Sequence, residues 1–286
     1  MHKLVALLSL FVFHTAEAKD LSSLYSGTSS LTPQARVIKS THFFVNTPTG
    51  LNPLGEGGGV DPHPLISTDK FDCTTYVETN LAIAFSKDQK ELPAVLSKIR
   101  YKGDHADFFQ RNHFMVSDWI PSNTKKNYVT EFTDKMTQDK SAYHTESKTL
   151  NKPIWFFHRV IDLLDQQKKT PAEIQKELSQ VPITPVQEEK TKYLLASYFR
   201  EHQEEMMAVL PEVSIVMFIR NIPSIPTLVN HMGFVLKKDG KLYLNHAPQA
   251  KPWKVQEVLL EDYFKDMDSH RAPIEGLLFL KVGSKS

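Results

Sequence analysis

The sequence predicts an α+β fold in which helices and strands occupy separate parts of the chain. Three observations support this prediction. Helical periodicity begins at Cys73, helix-start patterns recur between residues 151 and 210, and apolar β-branched runs dominate after Val213. Because these blocks do not alternate strand by helix, an antiparallel α+β architecture is favoured over a series of βαβ units.

The first 18 residues have the pattern of a secretory signal peptide. A short basic segment, 1–3, precedes an almost continuously apolar stretch, 4–13, and small residues occupy the −3 and −1 positions of a cleavage site after Ala18. The apolar stretch is too short to span a bilayer as a mature helix. We therefore expect an exported protein without stable membrane insertion, with one domain over residues 19–286.

Composition excludes one broad class of function. Hydrophobic residues make up 41% of the 286, which is enough for an ordinary packed core, and the formal net charge is only +1. Binding to nucleic acid requires a strong positive footprint, and no long basic run occurs in the chain. We therefore expect no nucleic-acid partner.

The first strong helical pattern starts at the cysteine. Val77, Leu81 and Phe85 repeat at intervals of four residues. Asp72 is a suitable N-cap, which places Cys73 at the first helical position. The residues immediately upstream, 54–59, are too rich in glycine for a helix or a strand. They predict a loop that is either a flexible linker or a segment whose backbone approaches a ligand.

The next part of the chain has weaker signals. Residues 92–99 predict a second helix, 101–123 predict irregular structure or short strands, and 126–136 predict a strand or a strand pair. Residues 151–210 predict a helical insertion. Within it, the patterns Thr-Pro-x-Glu and Thr-Pro-x-Gln place helix starts near Pro171 and Pro185.

The last third of the chain predicts a sheet. Apolar, β-rich runs indicate strands over 213–219, 229–236, 241–245 and 276–282. The dipeptide Asp239-Gly240 lies between the second and third of these runs. Asp-Gly in such a position is a strong signal for a β-hairpin with a type I′ turn.

The chain contains a single cysteine, Cys73. A lone thiol in an exported protein is inert, paired between chains or reactive. A free cysteine, considered by itself, is more often a small buried hydrophobic residue than a reactive one. The start of a helix favours the reactive role, because the positive end of the helix dipole lowers the pKa of a thiol there.

A cysteine nucleophile needs a base, usually a histidine oriented by a third polar group. The predicted hairpin selects among the 12 histidines. With a two-residue turn, Gly233 lies opposite His246, and His231 shares the sheet face of His246 at one diagonal step. A three-residue turn would place Asn245 beside His231 instead. The Asp-Gly turn favours His246.

Five further residues are candidates for substrate binding: Glu56, Tyr76, Arg111, His113 and Trp119. Each has a plain structural alternative. For Glu56 the alternative is a solvated loop residue, and for Tyr76 it is a residue that only packs against its neighbours. The arginine, histidine and tryptophan equally suit a structural polar cluster.

Several short motifs together resemble a known group of enzymes. The motifs are 54–57 (LGEG), 71–78 (FDCTTYVE), 99–101 (IRY), 111–114 (RNHF), 119–120 (WI), 231–235 (HMGFV) and 246–247 (HA). In this order and spacing they resemble the NlpC superfamily of papain-like cell-wall hydrolases, and most closely its N-acetylmuramoyl-L-alanine amidase-like branch. The motifs extend over most of the mature chain.

The resemblance implies a papain-like α+β fold in which the nucleophile helix packs on the antiparallel sheet. It implies Cys73 as nucleophile, His231 as general base and His246 as the group that orients the base. The implied substrate is an amide bond in peptidoglycan or muropeptide fragments, cleaved without a cofactor in the bacterial periplasm or outside the cell. Two features depart from the superfamily: residues 74–76 replace its usual small-residue pair, and the insertion at 151–210 is larger than in a minimal member.

Three other functions are compatible with the same sequence. The same scaffold serves a γ-D-glutamyl-diamino-acid endopeptidase. A zinc-dependent amidase is a second possibility, since Cys73, His231 and His246 are all metal-ligand types, although the chain has no H-E-x-x-H helix. The third is a non-catalytic protein that binds the cell wall with the same fold.

Overall fold

The computed structural model describes residues 19–284 except 29, 104 and 271, so the predicted signal peptide at 1–18 lies outside the described residues. The described α-helices are α1 (Ser22–Tyr25), α2 (Pro33–Phe44), α3 (Cys73–Phe85), α4 (Leu92–Arg100), α5 (Ile120–Lys125), α6 (Lys152–Gln166), α7 (Pro171–Leu178), α8 (Ala196–Glu201), α9 (Gln203–Val209) and α10 (Leu260–Asp268). The described strands are β1 (Val129–Glu131), β2 (Tyr143–Leu150), β3 (Gln187–Leu195), β4 (Val213–Ile219), β5 (Val229–Lys238), β6 (Lys241–His246), β7 (Gln256–Leu259) and β8 (Gly276–Val282).

The strands form one sheet, which confirms the prediction of a mixed α+β fold. Their spatial order is β2-β3-β8-β4-β5-β6-β7, and β1 also pairs with β8. Every pairing between these strands is antiparallel. Strands β4 and β8 have the predicted bounds, and both are almost entirely buried because helices cover the two faces of the sheet.

The hairpin of β5 and β6 has the predicted register. Lys238 pairs with Lys241 across the turn, and Gly233 pairs with His246 at the other end of β6. Asp239 and Gly240 have φ angles of 52° and 68°, as a type I′ turn requires at both central positions. The turn chemistry therefore fixes which side chains share a face.

Helix α3 is buried on all sides. It packs against α2, α4 and β5, and its second to fourth turns contain no exposed residue. Polar side chains on different faces of the helix hold these neighbours in place. Asn80 Oδ1 accepts a hydrogen bond from Ser40 of α2, and Glu78 forms a buried ion pair with Arg100 of α4 at 2.9 Å.

The two faces of the sheet support different helices. Ile215, Met217 and Phe234 lie in the cluster that includes α3. The alternate residues, such as Phe218 and Val235, pack with residues of α8, α9 and α10. Because side chains of a strand alternate between faces, the hairpin register decides which layer each residue enters.

The predicted helix start near Pro185 is wrong. Residues from Gln187 onward form strand β3, in which Glu189, Thr191 and Tyr193 are buried and alternate with exposed neighbours. Long-range pairing with β2 and β8 outweighs the local capping pattern. The helical insertion is thus interrupted by a strand, although the helix that begins at Pro171 is present with the predicted capping box.

The middle of the chain is more helical than predicted. Residues 101–123 contain a 3₁₀ turn at Phe108–Gln110, a π-helical turn at Met115–Trp119 and the short helix α5. The insertion helix α6 covers this region, and its Phe156 packs in a separate apolar cluster with Phe108. Within the described residues, no helix is long and apolar enough to cross a membrane.

Gly233 offers a direct test of the hairpin register. A Cβ atom at this position would lie 2.9 Å from both the Asn245 carbonyl oxygen and the His246 Cβ. We expect Gly233→Ala to push β6 away from β5 and to lower the free energy of unfolding by about 1–3 kcal/mol in urea denaturation.

Gly103→Ala is the matched control, because its added Cβ would meet no non-neighbouring atom of the described residues within 4 Å. The control should change stability by less than about 0.5 kcal/mol. Equal stability of the two variants would contradict the close approach of β6 at Gly233.

Candidate active site

Cys73 is the first residue of α3, as the sequence predicts. The Asp72 carboxylate accepts a hydrogen bond from the Thr75 amide at 2.8 Å, and the Thr75 hydroxyl accepts one from the Asp72 amide at 3.0 Å. This reciprocal cap fixes the first turn of the helix. The backbone amides of Met232 and Thr74 and the Thr74 hydroxyl are oriented toward the sulfur, which therefore lies beside β5 as well as at the start of α3.

The thiol and the two histidines approach each other from opposite faces of the sheet. Helix α3 covers the face that carries Phe234 and Asn245, and His231 and His246 lie on the other face. Strand β6 pairs with β5 only from Gly233 onward. The Met232 amide therefore lies beyond the end of that ladder, and Cys73 occupies the edge that β6 leaves open.

His231 and His246 form a hydrogen-bonded pair. Their Nε2 and Nδ1 atoms are 2.8 Å apart, and the rings are nearly perpendicular. Tyr263 of α10 packs against both rings, and Phe218 stacks against His231. These aromatic contacts restrict the planes of the two imidazole rings. Because the hydrogen bond uses His231 Nε2, the other nitrogen of this ring, Nδ1, lies outside the pair.

Asn245 does not take part in this pair. Its Oδ1 accepts a hydrogen bond from the Tyr76 hydroxyl on the α3 face of the sheet. Tyr76 is fully buried, so its predicted role in substrate binding is corrected to a structural one. The same correction applies to Trp119, which is also fully buried and donates its indole N–H to Glu78 at 3.1 Å.

Burial determines the protonation of the site. It raises the pKa of the Cys73 thiol to about 12, and the nearby Asp72 carboxylate acts in the same direction. Burial, with the charge of Arg220, lowers the pKa of His231 to about 4, and burial also lowers the pKa of His246. Desolvation thus outweighs the helix-dipole effect expected from the sequence, and at neutral pH the thiol and both imidazoles are uncharged.

Cys73 lines two of three cavities, and the smallest of the three shares lining residues with each of the others. The histidine cavity, about 430 Å³, is lined by Cys73, His231, His246 and Tyr263 among others. A bridging cavity of about 140 Å³ is also lined by Cys73 and His231. In the described part of the chain no hydrogen bond joins the thiol to the imidazole, and the two groups meet as walls of the same space.

The third cavity, which we call the arginine cavity, has a volume of about 370 Å³. It is lined by Arg100, Arg111 and Arg159 and by the cap residue Asp72. Thr74, His113 and Met115 line both this cavity and the bridging cavity. The three cavities are therefore neighbouring parts of one groove that passes the thiol.

Arg111 and Glu56 are brought together, as a structural ion pair. The Arg111 guanidinium contacts Glu56 at 2.6 Å and the fully buried Asp61 at 3.0 Å. Glu56 also accepts a hydrogen bond from Tyr101. Arg111 lines the arginine cavity but Glu56 does not. The pair anchors the glycine-rich loop against the rest of the fold, and only its arginine faces the groove.

His113 lies within an aromatic cage beside the groove. Its ring is 4.8 Å from the ring centres of Phe108 and Trp155, and its Nε2 is 2.7 Å from the Phe108 carbonyl oxygen. Burial, together with the charge of Arg111, lowers the pKa of His113 well below its ordinary value. A neutral ring donating from Nε2 leaves Nδ1 free as an acceptor.

The sequence gives no prediction for three residues that line the groove, Arg159, Arg220 and Tyr263, or for the buried Asp61 that pairs with Arg111. Only Asp61 had a local signal, since it follows the glycine-rich loop directly. The others come from distant segments that meet only in the fold. Among the described residues, no group of three or more histidine, cysteine or acidic side chains is arranged to hold a metal ion.

One family model matches most of the chain. The model of the family described as AmiA-like, N-acetylmuramoyl-L-alanine amidase-like, matches residues 39–270. Among solved structures, a DUF1460-family protein from Legionella pneumophila is similar over 92% of this chain and 93% of its own, with 25% identity and a TM-score of 0.80. No curated protein matches the chain.

A second solved structure has a similar fold. It is an N-acetylmuramoyl-L-alanine amidase from Bacteroides uniformis, aligned over 86% of this chain and 98% of its own. Its sequence identity is 22% and its TM-score 0.60. The helices and the antiparallel sheet described above are therefore similar in arrangement to those of these two solved structures.

The raised pKa of the thiol predicts how Cys73 reacts with iodoacetamide. Because only the thiolate is alkylated, the rate should rise about tenfold per pH unit between about pH 7 and pH 10. Intact-mass spectrometry measures this directly, since Cys73 is the only cysteine.

The urea-unfolded protein is the control for this measurement. Its thiol should show a rate that levels off near the ordinary cysteine pKa of about 8.5. A folded-state rate that levels off below that pH would contradict the dominance of burial at the site.

Proposed function

Because the chain belongs to the AmiA-like, N-acetylmuramoyl-L-alanine amidase-like family, we propose that it is a cysteine-dependent amidase of peptidoglycan. The bond cleaved is the amide between the lactyl group of muramic acid and the L-alanine of the stem peptide. One observation carries the cysteine mechanism. The only thiol of the chain lies at a helix start and lines two cavities with a histidine that is itself hydrogen-bonded to a second histidine.

The first half of the reaction forms a thioester. As the Cys73 sulfur attacks the lactyl carbonyl, His231 Nδ1 takes the thiol proton, so that no thiolate has to persist in the half-buried site. The tetrahedral intermediate then collapses, the C–N bond breaks, and His231 returns the proton to the leaving alanine nitrogen. The His231 imidazolium forms only between these two proton transfers. Such a transient charge suits a site where desolvation favours the neutral thiol and the neutral imidazole.

The second half releases the glycan. Water attacks the thioester carbonyl while His231 takes its proton, and the proton returns to the Cys73 sulfur as the C–S bond breaks. The stem peptide leaves first as a free amine, and the muramic acid leaves second with a free lactyl carboxyl group. No cofactor enters either step.

His246 is a positioning residue in this scheme. For His231 Nδ1 to accept the thiol proton, His231 must carry its other proton on Nε2 and donate it to His246 Nδ1, and the 2.8 Å separation suits such a bond. His246 then stabilises the imidazolium that forms during attack. The packing of Tyr263 against both rings holds this orientation.

The start of α3 is the proposed site for the oxyanion. The Cys73 amide is the first of the helix and has no intrahelical acceptor, and the helix dipole is positive at this end. The developing negative charge on the lactyl oxygen is stabilised by such a donor.

We also propose the papain-like relationship and the export. The order of the cysteine and the two histidines, and the motif pattern around them, support membership of the NlpC superfamily. Export rests on the basic, apolar and small-residue pattern of residues 1–18. An exported enzyme would meet its substrate in the periplasm or outside the cell.

Digestion of purified muropeptides tests the proposal. The mature protein should release free glycan and intact stem peptide, identified by mass spectrometry. Cys73→Ala should lower kcat by about 10⁴-fold or more, because nucleophile and base act as a unit. Treatment with a chelator should leave the activity unchanged.

Other results point to other functions. A cut inside the stem peptide that is lost in Cys73→Ala would keep the mechanism and indicate a γ-D-glutamyl-diamino-acid endopeptidase. Activity lost with chelator and restored by zinc would indicate a metal-dependent amidase. Binding without cleavage would indicate a non-catalytic cell-wall-binding protein.

The role of His246 gives a separate prediction. His246→Leu should lower kcat by about 10²–10⁴-fold with a smaller change in KM, because His231 loses the acceptor that fixes its tautomer. His246→Asn should keep part of the activity, since its side chain supplies an acceptor oxygen.

His144→Leu is the control, because His144 is exposed on β2 at the other end of the sheet. It should leave both kinetic constants unchanged. A His246→Leu variant with the kcat of the wild type would contradict the positioning role.

A further inference from the structure

The arginine cavity is a second functional region of the groove. We propose that it binds the first free carboxylate of the stem peptide, the α-carboxylate of the γ-linked D-glutamate, during cleavage. This inference rests on the proposed amidase function. It adds to that function a specificity determinant that consists of the guanidinium groups of Arg100 and Arg159.

Arg100 has an unused donor in this cavity. The side chain is 3% exposed, its Nε donates to Glu78 at 2.9 Å, and its Nη1 donates to the Leu65 carbonyl at 3.0 Å. Its Nη2 is buried without a hydrogen-bond partner. A buried donor left unpaired costs about 1–3 kcal/mol, so the cavity favours a ligand that accepts from it.

Arg159 lines the same cavity without an ion-pair contact among the described residues. Its Nη2 donates to the neutral Asn52 side chain at 2.7 Å, and no carboxylate in the described part of the chain forms an ion pair with it. Arg111 differs, because Glu56 and Asp61 both contact its guanidinium. Arg159 is thus the cation of the cavity that remains available to an anion.

The acidic residues of the cavity are already engaged. Asp72 accepts hydrogen bonds from the amide and hydroxyl of Thr75 at the helix cap. Glu78 accepts from Arg100 and Trp119. Neither forms an ion pair with Arg159, although the charge of Asp72 acts on it together with those of Asp61 and Asp162. The guanidinium without an ion-pair partner and the unused donor of Arg100 both favour a carboxylate ligand, for which a guanidinium is the matched partner.

A second unpaired atom indicates that the ligand is a peptide. Asn112 lines the cavity, donates its side-chain amide to the Ile99 carbonyl and leaves its buried Oδ1 without a partner. This acceptor suits a peptide N–H. A γ-linked glutamate offers a carboxylate and a neighbouring N–H together, whereas chloride or sulfate offers no donor at neutral pH.

Charge also decides which half of the substrate occupies this cavity. The lactyl carboxyl of muramic acid is consumed in the scissile amide, so the uncleaved glycan half has no free carboxylate. In the histidine cavity, Arg220 and Lys251 are accompanied by Asp262 and Asp266. The balanced cavity suits the uncharged glycan, and the arginine cavity suits the peptide that leaves as the amine.

Two muramyl tripeptides that differ in one group provide the test. One carries γ-D-glutamate and the other D-isoglutamine as the second residue, so the α-carboxylate is replaced by a carboxamide. We expect kcat/KM to be about 10–100-fold higher for the carboxylate substrate, the range of a charge-assisted hydrogen bond. Arg159→Met should reduce that preference to about twofold or less, mainly through KM.

Lys176→Met is the matched control, because it removes a charge from an exposed position of α7 outside the groove. It should keep the preference of the wild type. If both tripeptides are cleaved with equal kcat/KM by the wild-type protein, the carboxylate subsite is overturned while the amidase function stands. The same holds if Arg159→Met keeps the wild-type preference.

Binding measured without turnover separates the two proposals. Isothermal titration of the Cys73→Ala protein with the free tripeptide L-Ala-γ-D-Glu-L-Lys should give tighter binding than the isoglutamine tripeptide, and Arg159→Met should remove the difference. If no substrate is cleaved but this difference is found, the amidase proposal fails and the subsite stands. Equal binding of the two peptides would overturn the subsite.

Discussion

The pairing register of the β5–β6 hairpin is the constraint on which the site depends. The two-residue turn at Asp239 and Gly240 pairs Gly233 with His246, which puts His231 and His246 on one face and Asn245 on the other. A slip of one residue would exchange the faces. His246 would then enter the core beside α3, and Asn245 would lie beside His231. The turn therefore selects the hydrogen-bond partner of the proposed base.

The end of the same hairpin also positions the thiol. Because β6 stops pairing with β5 at Gly233, the Met232 amide is free to donate to the Cys73 sulfur. Helix α3 lies on one face of the sheet and the histidines lie on the other, and they meet at this open edge. This arrangement desolvates the Cys73 thiol and the His231 imidazole, and desolvation keeps both groups neutral until substrate arrives. In the proposed reaction, proton transfer accompanies attack instead of preceding it.

The sequence predicts features that depend on local chemistry. The hairpin follows from Asp-Gly between two β-rich runs, and the position of Cys73 follows from the Asp72 cap. Features that depend on distant partners were missed or misassigned. Strand β3 carries a helix-capping pattern, and only its pairing with β2 and β8 makes it a strand. The burial of Tyr76, which reverses its expected role, comes from packing between α3 and the sheet.

The residues of the groove also divide into those with a local sequence signal and those that depend on distant partners. Arg111 was recognisable as part of a polar motif, but Asp61, which neutralises it, is 50 positions away. Arg159 belongs to the insertion helix α6, whose approach to the groove no local pattern indicates. A sequence pattern identifies side chains able to act, and the fold decides which of them retain free charge or unused donors.

The proposed mechanism requires a covalent bond between Cys73 and the glycan half of the substrate. Intact-mass spectrometry of the protein, acid-quenched during turnover of a muropeptide, measures this directly. We predict an added mass equal to the muramoyl-containing glycan, located on Cys73 by peptide mapping and absent from Cys73→Ala. An adduct that includes stem-peptide residues, or turnover without any adduct on Cys73 under conditions in which thioester hydrolysis limits the rate, would contradict the mechanism.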